Sequence, residues 1–188
     1  LILAALAVLG AEVAAREPVS GPAPEWVVSD DGSEVLRPDA GIAWSRCVEG
    51  MRWDGRRCVG SARPMDHAEA MAAAAARRQA DGKGWRLPTA LQLQRLSRGS
   101  AQRPGLDDTL FPAAPADWHW TSTAKLDTAP VNPYNYGNIR QGLNNDNVNR
   151  VAFLHGSAVH TGNGSTSGGV PRKRALLVRL VRRLEARP

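Results

Sequence analysis

Short apolar runs alternate with turn residues where the chain first shows a regular pattern. The runs are Trp26-Val27-Val28, Glu34-Val35-Leu36 and Ile42-Ala43-Trp44. Asp30-Asp31-Gly32 separates the first two runs, and Pro38-Asp39-Ala40-Gly41 separates the last two. Both separators contain the residues that tight turns favour. The pattern therefore predicts three short antiparallel strands.

Two helical segments follow. Asp66 with Glu69 three positions later predicts a capping box, residues 67–79 are rich in alanine, and Asp81-Gly82 predicts the helix end. A second helix is predicted from its N-cap Thr89 through Ser97. The face of the first helix expected to pack on a sheet consists of Ala68, Met71, Ala72 and Ala75.

The pattern then returns to strands. In residues 118–123 the side chains are expected to alternate between the two faces of a strand, which places the two tryptophans on one face. Residues 150–155, a turn at Gly156-Ser157 and residues 158–161 predict a hairpin, and residues 175–181 predict a last strand. The large side chains expected in or against the core are Trp85, Leu87, Trp118 and Trp120.

Residues 130–149 have no periodicity and predict a long polar loop. The predicted fold class is therefore α+β, with two helices packed on short antiparallel strands and a long loop region.

The start of the chain differs from the rest. Residues 1–10 are almost purely aliphatic, and Val13, Ala14 and Ala15 supply the small residues that signal peptidase recognises. Glu12 interrupts the run before the roughly 20 apolar residues that a membrane span needs. We expect an export signal, with a buried N-terminal helix as the alternative. The expected division is a signal at 1–15, a flexible leader at 16–25, one domain at 26–184 and a tail at 185–188.

The two cysteines, Cys47 and Cys58, are expected to form a disulfide in an exported protein and would be free thiols in the cytosol. No second cysteine pair or nearby histidine completes four zinc ligands, so we expect no metal site there. The expected location is the periplasm, the cell surface or the extracellular space.

The net charge of +6 is concentrated at the end of the chain. From Arg172 onward there are seven cations and one anion, Glu185, so the rest of the chain is neutral. In an exported protein, a basic segment is expected to meet anionic glycans, lipopolysaccharide or a membrane surface rather than nucleic acid. A solvated tail is the alternative. The cations before the last strand, which are least expected to be buried, are Arg172, Lys173 and Arg174.

Catalytic motifs are missing from the sequence. It contains no Gly-x-Ser-x-Gly elbow, no His-Glu-x-x-His pair, no Walker loop and no dinucleotide fingerprint. We therefore expect no cofactor and no catalytic residue.

The polar loop is the main candidate for ligand binding. Asparagine carboxamides can bind sugar hydroxyls, and tyrosines can stack on a sugar ring. Asp146 is the only carboxylate of the loop, so a calcium site there would be weak. A solvated loop whose asparagines bind local backbone is the alternative. The candidate residues are Tyr134, Tyr136, Asn144, Asn145, Asp146, Asn147 and Asn149.

Several motifs occur in the order typical of one family. They are Gly41-Ile42-Ala43-Trp44, the loop from Cys47 to Cys58 with Trp53-Asp54-Gly55, Trp85-Arg86-Leu87-Pro88-Thr89, Phe111-Pro112, residues 118–123 and residues 178–182. Through them the chain resembles the Lcl C-terminal domain family over about residues 33–182. The resemblance implies a C-type-lectin-like fold in a bacterial exported or surface protein. The best-understood members of the family bind sulfated glycosaminoglycans in adhesion.

The chain departs from two related groups. It lacks the Glu-Pro-Asn, Gln-Pro-Asp and Trp-Asn-Asp triplets of calcium-dependent lectins. Sulfatase-modifying oxidases need a reactive cysteine pair, whereas Cys47 and Cys58 lie in the N-terminal loop. The leading interpretation is a non-catalytic binding module for an anionic glycan or another envelope polymer. The alternatives are a structural or assembly component of a surface structure and an oxidase of the formylglycine-generating kind.

Overall fold

The computed structural model describes residues 26–98, 105–129, 134, 136–140 and 148–185. The predicted signal and leader, residues 1–25, lie outside this part of the chain. The fold is α+β, as predicted, with two longer helices and three antiparallel sheets.

The first sheet has four strands in the order β1-β2-β3-β9. The strands are β1 (Val27–Val28), β2 (Glu34–Arg37), β3 (Ile42–Ser45) and β9 (Val181–Arg183). Val35 pairs with Trp44, and Trp44 also pairs with Val181 from the far end of the chain. The three strands predicted near the start are therefore confirmed.

The predicted last strand, residues 175–181, is largely wrong. Only its final residue belongs to β9, while Leu176 and Leu177 form single bridges to Met65 and His119. Residues 176–181 are all buried, and their carbonyls accept hydrogen bonds from several parts of the chain. Ser45 N donates to Leu180 O at 3.0 Å, and Trp120 N donates to Leu177 O at 3.0 Å. The segment crosses the core between sheets, so it does not pair along one partner strand.

A small hairpin of β4 (Met51–Trp53) and β5 (Cys58–Gly60) forms the second sheet. The predicted disulfide is present, with the Cα atoms of Cys47 and Cys58 5.5 Å apart. Closing this loop is expected to stabilise the fold by about 3 kcal/mol on the chain-entropy model.

Both predicted helices begin at predicted caps. The first, α1 (His67–Asp81), has the Asp66–Glu69 capping box, and α2 (Ala90–Ser97) has the equivalent box from Thr89 and Gln92. Gly82 ends α1 in the left-handed conformation at φ 71°, which glycine adopts without strain.

The predicted buried face of α1 is wrong. Its buried residues are Ala70 and Ala74, whereas Met71 is exposed. In an alanine-rich helix nearly every position is equally apolar, so the periodicity does not identify the packed side.

The third sheet has two long strands and one short strand. These are β6 (Trp118–Ala129), β7 (Val148–His160) and β8 (Thr166–Pro171), in the order β6-β7-β8. A short helix, α3 (Tyr136–Arg140), lies in the predicted loop between β6 and β7.

The hairpin predicted at Gly156-Ser157 is wrong, because β7 continues through both residues. A Cβ on Gly156 would lie 3.1 Å from the Trp120 ring, so this glycine lets the strand approach the indole. Ser157 is buried, and its carbonyl accepts from the Thr121 hydroxyl at 2.9 Å. Packing against β6 therefore overrides the local turn preference.

The core consists of two clusters. One surrounds Trp85 and Trp120, and the other surrounds Trp44 and Phe111. Trp85, Leu87 and Trp120 are fully buried and Trp118 packs against the first cluster, which confirms the predicted core positions.

Candidate binding surface

The basic turn, residues 172–174, directly follows β8 and is held by backbone hydrogen bonds. Arg172 N donates to Leu154 O, and Arg174 N donates to Pro171 O, both at 2.9 Å. Arg172 O accepts from His67 N at 2.9 Å. The three cations therefore project from a backbone that is fixed to β7 and to the start of α1.

Charged groups of the α1 N-terminus surround this turn. Lys173 Nζ lies 3.2 Å from the Asp66 carboxylate, although the lysine side chain is 91% exposed. A backbone hydrogen bond from Glu69, and then Lys173, lower the pKa of Asp66. Arg63 and Glu69 form a more distant exposed pair at 3.8 Å. Exposed pairs of this kind contribute little to stability, so the lysine can exchange its partner for a ligand.

His67 adds no charge to the surface at neutral pH. Its ring packs edge-on against Trp120, with centroids 5.2 Å apart. Burial, and then the positive charge of Arg172, lower the pKa of His67. The positive potential here therefore comes from Arg172, Lys173 and Arg174, of which Arg172 is half-buried and the other two are exposed.

The structure describes only part of the predicted polar-loop site. Tyr134 is 90% exposed, and Tyr136 on α3 is 79% exposed. Asn149 lies in β7, opposite Thr128 of β6. Asn144, Asn145, Asp146 and Asn147 lie outside the described residues.

Strand β7 connects the two predicted regions. Asn149 lies six residues before His155, whose carbonyl accepts from Arg172 Nε at 3.2 Å. Six residues of extended strand span about 20 Å. A polymer of several sugar units could reach both regions, whereas a monosaccharide could not.

Two of the C-terminal cations are used inside the fold. Arg182 binds Glu34, with Nη2 2.6 Å from the carboxylate. Arg179 is fully buried, donates from Nη1 to the carbonyls of Ser45 and Arg46, and stacks on Phe111 at 4.8 Å. Burial lowers the pKa of Arg179 to about 9. The net charge of the C-terminal segment therefore overstates the charge available to a ligand.

Summing the charge over the whole neutral part of the chain concealed a second basic region. Arg52, Arg56 and Arg57 are exposed on the β4–β5 hairpin. Their close spacing within the disulfide loop was the signal that could have identified them.

His119 beside Arg179 makes stability depend on pH. Its Nδ1 lies 2.9 Å from Asp117 O, so this nitrogen carries the proton, and Nε2 has no partner among the described residues. Burial, and then the charge of Arg179, lower the pKa of His119 to about 3. Below the unfolded pKa of about 6.5, only the unfolded state takes up this proton, so stability falls as pH falls.

Because this histidine takes up its proton only in the unfolded state, we expect it to lower the free energy of unfolding by about 2 kcal/mol when the pH falls from 7 to 5. Denaturant unfolding of the wild type and of His119→Asn at the two pH values checks it. The variant should lose about 2 kcal/mol less over this interval, whatever its absolute stability. An equal loss in both proteins would contradict the assignment.

The family comparison agrees with the order of the motifs described above. The family model for the Lcl C-terminal domain matches residues 34–182. The chain belongs to the Lcl C-terminal domain family. The matched range begins at the first residue of β2 and ends within β9, so the Lcl C-terminal domain here includes both core clusters and the basic turn. No curated protein sequence matches the chain significantly.

Two further properties concern the described residues alone. None of the helices within them is both long enough and apolar enough to cross a membrane. They also contain no cluster of three or more histidine, cysteine, aspartate or glutamate residues that could hold a metal ion.

Proposed function

We propose that the chain is an exported, non-catalytic binding module of C-type-lectin-like architecture that binds an anionic glycan or a similar envelope polymer. The observation that carries the proposal is the basic turn, in which three consecutive cations project from an anchored backbone. A fixed backbone reduces the entropy lost when the side chains engage a ligand.

The chemistry of the turn favours sulfate or carboxylate groups. The arginine guanidinium group can make two parallel hydrogen bonds to such an anion, while lysine acts as a point charge. The nearest carboxylate, Asp66, accepts a backbone hydrogen bond from Glu69 as the helix cap, so it is already engaged elsewhere. Within the described part of the chain, an incoming polyanion would therefore compete with the exposed Lys173–Asp66 pair and with the hydrogen bond from Arg172 Nε to His155 O.

The architecture supports the C-type-lectin-like part of the proposal. The α+β arrangement of two longer helices and small antiparallel sheets is compatible with that fold, and the proposal assigns its long loop region to the segment between β6 and β7. Its exposed Tyr134 and Tyr136 have ring faces suited to stacking on sugars. The disulfide and the apolar start of the sequence support export.

Heparin chromatography tests the role of the basic turn. The variant carries Arg172→Gln, Lys173→Gln and Arg174→Gln, which lowers the net charge from +6 to about +3. We expect this variant to elute at clearly lower salt and to bind heparin about tenfold to a hundredfold more weakly at physiological salt. Screening over a Debye length of about 8 Å makes the wild-type interaction salt-sensitive as well.

The matched control removes the same charge from the β4–β5 hairpin, through Arg52→Gln, Arg56→Gln and Arg57→Gln. These residues are exposed, so the substitutions should leave the fold intact. The control should keep most of the wild-type retention. If both variants elute at the same salt, retention follows total charge, and the basic turn is not the binding site.

A further inference from the structure

The three cations of the basic turn differ in how firmly the fold holds them. Arg172 is half-buried, whereas Lys173 and Arg174 are exposed. The N–H of Arg172 donates to Leu154 O, and its carbonyl accepts from His67 N, both at 2.9 Å. Arg172 is therefore held at both of its backbone polar groups.

The side chain of Arg172 is oriented as well. Its Nε donates to His155 O at 3.2 Å, which ties the guanidinium group to strand β7. Within the described part of the chain, Nη1 and Nη2 have no hydrogen-bond or ion-pair partner. Both atoms nevertheless reach solvent, because they do not belong to the buried polar atoms that lack a partner.

This arrangement leaves one edge of the guanidinium group for a ligand. An arginine can bind an anion through two parallel hydrogen bonds, either from Nε with one Nη atom or from the two Nη atoms. Since Nε of Arg172 is engaged by His155 O, the edge formed by Nη1 and Nη2 is the one that remains.

The other two cations supply charge without a fixed direction. Lys173 Nζ lies 3.2 Å from the Asp66 carboxylate in an exposed pair, and a lysine ammonium acts as a point charge. The Arg174 guanidinium group has no partner among the described residues. Both side chains must lose rotamer freedom when a ligand binds, whereas Arg172 has already lost part of its freedom on folding.

We propose that Arg172 is the residue of the basic turn that recognises one anionic group of the ligand in a fixed geometry. Nη1 and Nη2 donate two parallel hydrogen bonds to two oxygens of a single sulfate or carboxylate group. Lys173 and Arg174 add attraction that depends on charge alone. Of the two contacts with which an incoming polyanion competes, this mode breaks only the Lys173–Asp66 pair. The inference rests on the proposed function, because it assigns roles within the same binding surface.

Charge-conserving variants test the inference, because they remove the paired donors without removing a charge. Heparin binding of the full chain is measured by calorimetry at several salt concentrations. We expect Arg172→Lys to weaken binding about fivefold or more, and Arg174→Lys about twofold. Both variants keep the three charges of the turn, so the dependence of log affinity on log salt concentration should match that of the wild type.

A swap variant separates the position of the arginine from the number of arginines. Arg172→Lys combined with Lys173→Arg keeps two arginines and one lysine in the turn. We expect it to bind heparin as weakly as Arg172→Lys alone, because the new arginine lacks the bond to His155 O that orients the guanidinium group.

A measurement on the wild type avoids any effect of the substitutions on folding. The Nε–H signal of Arg172 is assigned in the 1H–15N spectrum through its own side-chain carbons. We expect this signal to shift on addition of a heparin tetrasaccharide, because an anion bound to the two Nη atoms polarises the same guanidinium group.

Two further polymers identify the anionic group. Dextran sulfate carries only sulfate groups, and polygalacturonate carries only carboxylate groups. The polymer on which Arg172→Lys loses more affinity carries the preferred group, and equal losses of about fivefold or more mean that both groups are accepted.

Three results would overturn the inference. They are equal losses for Arg172→Lys and Arg174→Lys, wild-type affinity of the swap variant, and an Arg172 Nε–H signal that the tetrasaccharide leaves unmoved. The proposed function fails separately, if the triple glutamine variant keeps the heparin retention of the wild type.

Discussion

Trp120→Ala is expected to lower the free energy of unfolding by about 3–5 kcal/mol. The indole is fully buried in the first core cluster, and its N–H donates to Met65 O at 2.9 Å. Its ring also carries the edge contact with His67 and the close approach of Gly156. Truncation removes all of these contacts at once and leaves a cavity that a β-strand cannot easily fill.

Trp118→Ala is the matched control on the same strand. Trp118 is only partly buried, and it packs against the edge of the cluster and against His160, with ring centroids 5.5 Å apart. We expect a loss of about 1–2 kcal/mol. Denaturant unfolding at pH 7 measures both variants, and equal losses would contradict the central position of Trp120.

Glu34→Gln is the second change with a large expected effect, about 3 kcal/mol of destabilisation. The Glu34 side chain is 3% exposed and receives Lys83 Nζ at 2.6 Å and Arg182 Nη2 at 2.6 Å. The Arg182 side chain is 12% exposed, so it would keep its charge with little solvent to stabilise it. Lys83 is 41% exposed and contributes less, because water screens it.

An exposed pair provides the comparison. Asp39→Asn breaks the Arg37–Asp39 pair and should cost less than about 1 kcal/mol. A double-mutant cycle of Glu34→Gln with Arg182→Met should show clear coupling, because each change removes the other's partner. Additive losses in that cycle would mean that the two side chains do not stabilise one another.

Local signals predicted the helix ends and the first strands well. The capping boxes at Asp66 and Thr89 depend on residues three positions apart, so the sequence alone reports them. The disulfide also followed from two cysteines in a short loop. The order of motifs identified the family before any contact was known.

Tertiary contacts decided the features that the sequence predicted wrongly. Gly156-Ser157 has good turn chemistry, but the Trp120 ring beneath Gly156 keeps β7 extended. Residues 175–181 have the composition of a strand, yet their backbone hydrogen bonds go to five separate parts of the chain, at Ser45, Glu49, Met65, Arg86 and residues 118–120. No local pattern encodes partners that lie tens of residues, or more than a hundred, away in the sequence.

In the candidate sites, too, local sequence predicted some features and distant contacts decided the others. Exposure of Lys173 and Arg174 followed from their position before the last strand. Burial of Arg179 did not, because its carbonyl partners at Ser45 and Arg46 are distant in the chain.

The pairing of β3 with β9 also has a consequence for the order of folding. Trp44 pairs with Val181, and both core clusters contain residues from the crossing segment that leads into β9. Neither cluster can therefore close while the ribosome still holds residues 176–183. Contacts this distant in sequence also slow folding. A chain stopped before residue 176 would present Trp44, Trp85 and Trp120 on incomplete cores, where chaperones and proteases recognise unfinished proteins.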